Sequence, residues 1–474
     1  MSDQATQPQQ AQDLRDVDRR TVFHPFTQLH DHASGKSGGP RIIETGRGVR
    51  IQDSEGKELI DAFAGLYCVN VGYGRREIAD AIYEQAKQLA YYHTYVGHSN
   101  EPVIRLSERI IDMAPAGMSK VYYGMSGSDA NETNVKLVWY YNNVLGRTHK
   151  KKIISRLRGY HGATIMSGSL TGLPVYHKAF DQPLPQVRHT VAPHYYWQAE
   201  AGMSEEEFSQ HCADELEKLI IREDPDTVAA FIGEPVLGTG GIIPPPKGYW
   251  DKVQAVLNKY DILLIDDEVV CGFGRTGSAF GADLYGIKPD LMTVAKGLTS
   301  AYVPLSGSIV GERMWEVLEE GSDRLGPNGH GYTYSGHALG AAAGLANLDI
   351  IERDRLIDNA RDTGAYLQQR LHEAFDNHPL VGEVRGAGLL AAVECVADKQ
   401  RKLRFDPTLK VGARLAAACV SRGVIARAMP HSDALGFAPP LCITPAEVDE
   451  VVATTKKAVD QVTDELVREG VWKV

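Results

Sequence analysis

The sequence predicts an α/β fold in which a large domain is built on a mostly parallel sheet between helices and a smaller α+β domain follows it. Three observations carry this. Between about residues 76 and 311, strand-length apolar runs alternate with stretches of helical spacing. Several of the runs, "VAAFIGEP" and "DILLIDD" among them, are apolar at consecutive positions, as strands covered on both faces require. After about residue 336 the pattern changes to long helices, a pair of short strands and a final amphipathic helix.

Residues 1–20, "MSDQATQPQQAQDLRDVDRR", have neither a basic start nor an apolar segment, so they do not read as a signal peptide, and their Gln-rich composition predicts a disordered tail. Residues 21–70 contain "RIIETGRGVRIQDSEGKELID", two or three short strands with Gly turns, expected to pack with the small domain. In the large domain, 71–335, "REIADAIYEQAKQLA" and "EPVIRLSERIIDMA" are helices. There follow strand "KVYYG", helix "NETNVKLVWYYNNVL", strand "KKIISR", an irregular stretch rich in Pro, His and Gly, and helix "EEEFSQHCADELEKLII". Strand "VAAFIGEP", helix "YWDKVQAVLNKY" and strands "DILLIDD", "LMTVAKG" and "PLSGSIVG" complete it. The small domain, 336–474, opens on "HALGAAAGLANLDIIER" and "RDTGAYLQQRLHEAF", passes through "EVRGAGLLAAVECV" and ends in "PAEVDEVVATTKKAVDQVTDELVREG". No repeat of fixed period is visible.

Composition narrows the function. The 474 residues carry 50 basic and 61 acidic side chains, a formal charge of −11, which disfavours nucleic acid and anionic membranes as partners. No apolar run approaches the roughly 18 residues of a membrane-spanning helix. The 6 cysteines form no C-x-x-C pair, so neither a disulfide framework nor a metal site is expected and a reducing cytoplasm is the simplest compartment.

Ligands of parallel α/β sheets bind beyond the carboxyl ends of the strands, and the polar motifs lie there. "GFGRTG" (272–277) spells the dinucleotide fingerprint, but "DDEVVC" separates it from its strand and no helical stripe follows, so a nicotinamide or flavin site is not expected. Asp267, ending an apolar strand, reads alone as a solvated end or as an inward-pointing group. Lys296, at the end of another, is an exposed loop charge or, if enclosed, an amine nucleophile. Ser126-Gly127-Ser128 separates a strand from a helix whose first amides lack internal partners, an anion cradle without the lysine of a nucleoside-triphosphate loop; Ser128 or Asp129 is the expected cap. Tyr160 and His161 sit in a Gly-flanked turn, where an aromatic either packs under a loop or stacks on a planar ligand. Glu234 ends a further strand. One ligand uses all of these: an aromatic aldehyde condensing with a lysine, its ring nitrogen paired with a carboxylate, its phosphate on a helix N-terminus and its face covered by an aromatic ring. That ligand is pyridoxal phosphate.

With "HPFTQ", "LYCVNVGYG", "GSDAN", "YHG", "EPVLGTGG", "DDEVVCGFGRTG", "AKGLTS", "GYTYSGH" and "APPL" in this order, the chain resembles the class III aminotransferases of pyridoxal-phosphate fold type I from about residue 22 to its end. The resemblance implies a seven-stranded type of sheet in the large domain. It implies that Lys296 forms the Schiff base and shuttles the proton, that Asp267 holds the pyridine nitrogen protonated, and that Gly127 and Ser128, beside Ser126, bind the phosphate. It further implies that Tyr160, next to His161, stacks on the ring, Val269 packs under it, Glu234 lies towards the ring hydroxyl, and Thr333 reaches the neighbouring subunit's phosphate in a homodimer with sites at the interface, with or without pairing of dimers into tetramers.

Within the family the chain looks closest to the pyruvate-dependent amine (ω-) transaminases. On that match Tyr67, where many relatives carry Trp, shapes the pocket wall, and Arg427 in "GVIARAMPHSDALGFAPPL" binds a keto-acid carboxylate. Leu237 replaces the Gln of the common "EP-x-Q-G". The implied reaction is ping-pong transfer of an amino group from a primary amine or ω-amino acid to a keto acid, pyruvate, with pyridoxamine phosphate between the halves. Diaminopelargonate synthesis, an intramolecular amino shift and dialkylglycine-type decarboxylation share the same core residues and stand as alternatives. A non-catalytic cofactor-binding regulator is disfavoured by the presence of Lys296 and the lack of a preceding basic helix-turn-helix.

Overall fold

A computed structural model describes residues 7–36 and 39–473. The strands in chain order are β1 (Ile43–Arg47), β2 (Arg50–Asp53), β3 (Glu58–Asp61), β4 (Met118–Gly124), β5 (Lys152–Arg156), β6 (Val187–Thr190), β7 (Val228–Gly233), β8 (Leu263–Asp267), β9 (Leu291–Val294), β10 (Ser306–Gly311), β11 (Val381–Ala387), β12 (Leu390–Cys395), β13 (Val424–Ile425), β14 (Arg427–Ala428) and β15 (Ala434–Phe437).

The large domain holds a seven-stranded sheet of order β4-β10-β9-β8-β7-β5-β6. All its pairings are parallel except those of β10, which runs antiparallel to both β4 and β9. β7, β8, β9 and β10 are buried at every position, which is why they read as unbroken apolar runs. The carboxyl ends of the parallel strands β7, β8 and β9 share one edge of the sheet, and the chain there carries Glu234, Asp267 and Lys296 into one region.

The small domain holds a four-stranded sheet, β11-β12-β15-β14, against helices Leu356–Phe375 and Val411–Ser421. The early strands form a separate sheet, β1-β2-β3-β13, in which β3 pairs in parallel with β13 from the C-terminal part. Gly364 lets helix Leu356–Phe375 lie on the β11–β12 turn: a Cβ there would come 2.6 Å from the Gly388 carbonyl oxygen. Gly388 in turn abuts the backbone of Thr276, so the small domain rests directly on the "GFGRTG" loop.

Three expectations need correction. The stretch read as a disordered tail is helical over Gln7–Thr21, and residues 1–6 lie outside the described residues. Helix Ala338–Arg353, assigned to the small domain, packs on large-domain helices Arg76–Gln88 and Glu101–Met113, with Gly344 against Leu106. The irregular stretch after β5 contains the edge strand β6, and helix Glu312–Leu325 follows β10.

No helix among the described residues is long and apolar enough to cross a membrane.

Candidate active site

A cavity of about 340 Å³ opens beyond the carboxyl ends of β7, β8 and β9. Its walls bring together Ser126, Gly127, Ser128, Tyr160, His161, Glu234, Asp267, Val269 and Lys296, nine residues singled out in the sequence. "GFGRTG" is not among them. Its Gly274 and Gly277 hold positive φ angles of 99° and 85°, and its buried Arg275 donates to Asn70 Oδ1 (2.8 Å) and to the Pro439 carbonyl. That loop locks the domains together; it cradles no dinucleotide.

One wall is the start of helix Gly127–Val144. The cap is Ser126, not Ser128 or Asp129 as expected: Ser126 Oγ accepts from Asp129 N (3.2 Å) and Asp129 Oδ1 accepts from Ser126 N (3.0 Å). Asp129 also accepts from Met125 N and Ser306 Oγ, both at 2.9 Å, so the turn is fixed from β10 as well. Ser128 Oγ accepts from Ala163 N (3.1 Å), tying the turn to the Tyr160–His161 loop. The amides of Gly127 and Ser128 have no partner four residues back in the helix, and the dipole adds positive potential, so this wall suits a phosphate. A Cβ on Gly127 would stand 2.9 Å from Val269 Cγ2, so only glycine lets Val269 lie under the cavity floor beside the turn.

Asp267, 2% exposed, ends β8. Its Oδ2 accepts from Asn131 Nδ2 (2.9 Å) and from His161 Nδ1 (2.8 Å), and its Oδ1 accepts from Val269 N (3.1 Å). Asn131 Nδ2 also donates to the His161 carbonyl, and Asn131 Oδ1 accepts from Thr293 Oγ1 (2.6 Å). Among the described residues no guanidinium or ammonium lies within ion-pair distance of this carboxyl; its one charged-type partner is the His161 ring. It is therefore poised to pair with a cationic group entering the cavity.

Lys296 follows β9 with φ 43°, and Ser300 and Ala301 in the same loop are also left-handed, as are Ala64 and Tyr67. Each costs on the order of 1 kcal/mol for a residue with a Cβ, strain of the kind that accumulates at functional sites. The Lys296 side chain is half-buried, with its amine towards the cavity, and burial lowers its pKa; Cys68, Asp267 and Glu234 oppose that shift, and Arg427 adds to it. A lowered pKa raises the fraction of neutral, nucleophilic amine near pH 7.

Glu234 Oε1 accepts from Tyr160 N (2.9 Å) and Oε2 from Gly238 N (2.7 Å), so this carboxyl shapes the loop on which Tyr160 is carried. Burial raises its pKa, the nearby His161 lowers it and Asp267 raises it. Burial pushes the Tyr160 phenol up to about 12, and its ring meets Tyr176 edge-on at 5.2 Å.

Tyr67, Arg427 and Thr333 are not in the cavity wall. Tyr67 is buried behind it with its ring 5.4 Å from Lys296 Nζ, and its hydroxyl has no hydrogen-bond partner among the described residues. Arg427, on β14, is half-buried with its guanidinium 5.5 Å from the Phe63 ring. Among the described residues it has no carboxylate within ion-pair distance, and its charge reaches Tyr67, Tyr160 and Lys296. Thr333 is exposed, its carbonyl accepting from Tyr91 Oη (2.6 Å). Leu237 fills a small apolar cluster with Ala192 and Ile243.

The sequence reading missed Asn131 and Thr293, which orient Asp267, and a carboxyl pair beside it. Asp266 and Glu268 are both fully buried, and among the described residues both Asp266 oxygens and Glu268 Oε2 have no hydrogen-bond partner. Burial, with the charge of its neighbour, raises Asp266 well above the carboxylate range; burial raises Glu268 to about 7 while the Gly281 and Ala282 amides oppose it. The pair thus holds a proton in the fold that the unfolded chain releases near pH 4.5. Because the folded pKa is raised, this stabilisation is full below the unfolded value and is lost as pH rises through about 7. Glu268→Gln, which can still accept from Ala282 N, is expected to flatten the fall in melting temperature between about pH 5 and pH 8. Parallel melting profiles for the two proteins would refute the shared proton.

The family model for aminotransferase class III matches residues 33–459. The diaminobutyrate–2-oxoglutarate transaminase of Halomonas elongata is 65% identical over 97% of this chain and 98% of its own length. The putrescine–pyruvate aminotransferase of Pseudomonas aeruginosa is 44% identical over 92% and 93%. Among solved structures, a transaminase from directed evolution by ancestral reconstruction superposes with a TM-score of 0.95 at 73% identity, covering 96% of this chain and all of that one. The omega transaminase of Pseudomonas jessenii in complex with PMP gives 0.92 at 45% identity, covering 95% and 98%.

Proposed function

The chain belongs to the class III aminotransferases, and from that premise we propose that it transfers an amino group from a primary amine or ω-amino acid to a keto acid with a single carboxylate, pyruvate in the first place. The family's cofactor is pyridoxal phosphate, and the residues fit it: a buried carboxyl, a partly enclosed amine and a set of free helix amides face one cavity. Bound there, the cofactor supplies an electrophilic carbon for amines and an electron sink for the carbanion left when a proton is removed.

The chain's own residues do the rest. The amides of Gly127 and Ser128 would bind its phosphate, and Tyr160 and Val269, which line the same cavity, would hold its ring. Asp267 would pair with the ring nitrogen, and His161 and Asn131 aim it by donating to it. Lys296 Nζ, released when the substrate amine takes its place, removes the Cα proton and returns it one position away. Glu234 positions the Tyr160 loop. Thr333, exposed in one protomer, is offered to the phosphate of a neighbouring copy, which makes the dimer the working unit.

The observation that carries the choice of acceptor is the half-buried Arg427 guanidinium with no carboxylate partner. Among the described residues no arginine lines the cavity itself, and the Arg427 charge reaches Tyr160 and Lys296 of its wall, so one carboxylate is matched there. The similarity to a transaminase named for 2-oxoglutarate favours a second reading, in which the distal carboxylate of a dicarboxylic keto acid is also bound.

The two readings separate in one experiment. Arg427→Ala is expected to lower kcat/KM for pyruvate about 10–100-fold, the size of a lost charge-assisted pair, while a simple amine without a carboxylate loses little. Equal losses for both substrates would make Arg427 structural. A wild-type preference for 2-oxoglutarate over pyruvate would overturn the single-carboxylate reading while leaving the aminotransferase intact.

A further inference from the structure

Outside the cavity, three metal-ligating side chains converge at the N-terminus. Asp18 lies near the end of helix Gln7–Thr21, His24 follows in the next turn, and His32 is in the short helix Leu29–Ala33. His24 Nε2 stands 2.8 Å and His32 Nε2 3.3 Å from the same oxygen, Asp18 Oδ1. The two rings are 4.6 Å apart at 62°, and one ligand atom from each residue falls within 4.8 Å of the others.

His32 is 8% exposed, and its Nε2 has no hydrogen-bond partner despite facing the carboxylate. As a purely hydrogen-bonded cluster the arrangement leaves that buried nitrogen unsatisfied, at a cost of about 1–3 kcal/mol. As a ligand set it leaves nothing over. Ligands about 2.0–2.1 Å from a tetrahedral ion stand about 3.3 Å from one another, the His32–Asp18 separation found, while the His24–Asp18 pair, at 2.8 Å, would open by about 0.5 Å to admit the ion. Two imidazoles and a carboxylate without thiolate suit zinc, cobalt or nickel, and not calcium or magnesium, which prefer all-oxygen shells. The Asp18 and His24 side chains keep 21% and 30% of their exposure, which leaves a path in and room for a water ligand.

We propose that Asp18, His24 and His32 form a site for a borderline divalent cation of the zinc class, which staples the N-terminal helix to the helix beginning at Leu29. The staple spans Phe26, whose ring stacks on Tyr176 at 5.4 Å and 25°, and Tyr176 meets Tyr160 of the cavity wall. The ion therefore fixes the outer layer of that wall and takes no part in the chemistry.

The test uses tag-free holoenzyme, stripped with a chelator, desalted and titrated with cobalt(II) while its visible d–d absorption is followed. One equivalent per chain is expected, displaced stoichiometrically by zinc, with a rise in melting temperature. H24Q, a substitution at a partly exposed position, is expected to take up none while melting like the metal-free wild type. D18N gives the same reading if H24Q does not fold. No cobalt uptake by the wild type, or uptake by both variants equal to wild type, would overturn the site.

Discussion

Lys296→Ala is expected to abolish turnover, with kcat falling by about 10⁴-fold or more while the protein remains folded. The magnitude follows from the two jobs assigned to one nitrogen. A positioned general base is worth about 10²–10⁴-fold by itself, and no other amine lines the cavity to replace it. The lysine's role as the group that exchanges with the incoming amine is lost in the same substitution. Stability changes little in comparison. Alanine in the left-handed conformation that Lys296 holds costs on the order of 1 kcal/mol, as the lysine already does, and removing a partly desolvated amine offsets lost packing. The cradle at Gly127 and Ser128 and the carboxylate of Asp267 are untouched, so the variant should still take up cofactor. Steady-state assay together with the visible spectrum decides the matter. Turnover within about tenfold of wild type would remove Lys296 from the mechanism. Partial recovery of the rate on adding a small amine would show that a missing nitrogen, and not a misfolded loop, is the defect.

The site was legible in the sequence where an abrupt change of polarity marked it. Asp267, Lys296 and Glu234 each follow a run of buried strand residues, and a single polar side chain at such a point stands out against its own strand. Gly127 was legible because a strand, a small-residue turn and a helix follow one another without a spacer. Asn131 and Thr293 were not, because each lies inside a regular element, where an isolated polar residue looks like a solvated face. The signal was there in Asn131 and Asn134, three apart on a helix with buried Ala130, Val135 and Val138 around them. The Asp266–Glu268 pair was hidden by the same two-residue period that made Asp267 visible. Side chains alternate across the strand, so the neighbours of a cavity-facing aspartate point into the opposite layer.

The fold reading erred where composition was allowed to outweigh propensity. Gln7–Thr21 is rich in Gln, Arg and Asp, with no glycine, and Gln and Arg are good helix formers, so the polar content that suggested a tail suits an exposed helix as well. β6 was missed because "VRHT" is a short edge strand with three polar residues, too brief for a period to show. The domain boundary at 336 failed for a different reason. Helix Ala338–Arg353 is apolar enough to be buried on several sides, and sequence says that it is covered without saying by which domain.

Asp267→Asn is expected to leave the fold intact and slow Cα proton removal about 10²–10³-fold, the size of losing one preorganised charge in a dry site. The geometry makes this substitution unusually clean. With its carbonyl oxygen at the Oδ2 position, asparagine keeps the bonds from His161 Nδ1 and Asn131 Nδ2, so the loop and the helix stay tied to β8. Its amide nitrogen then occupies the Oδ1 position, where it meets the Val269 N–H as donor against donor. It also offers a donor, instead of a negative charge, to the cavity. A ring nitrogen opposite it is no longer held protonated, and the electron sink weakens although every atom is still in place. The isotope effect separates this account from a structural one. With an amine deuterated at Cα, the variant should show a larger effect on kcat than wild type, because proton removal becomes rate-limiting. Its affinity for substrate should hold to within a few-fold. A slow variant with an unchanged isotope effect would place the damage in binding or product release. A variant as fast as wild type would mean that the charge of Asp267 is not what drives proton removal, and the electron-sink role would have to pass to another group.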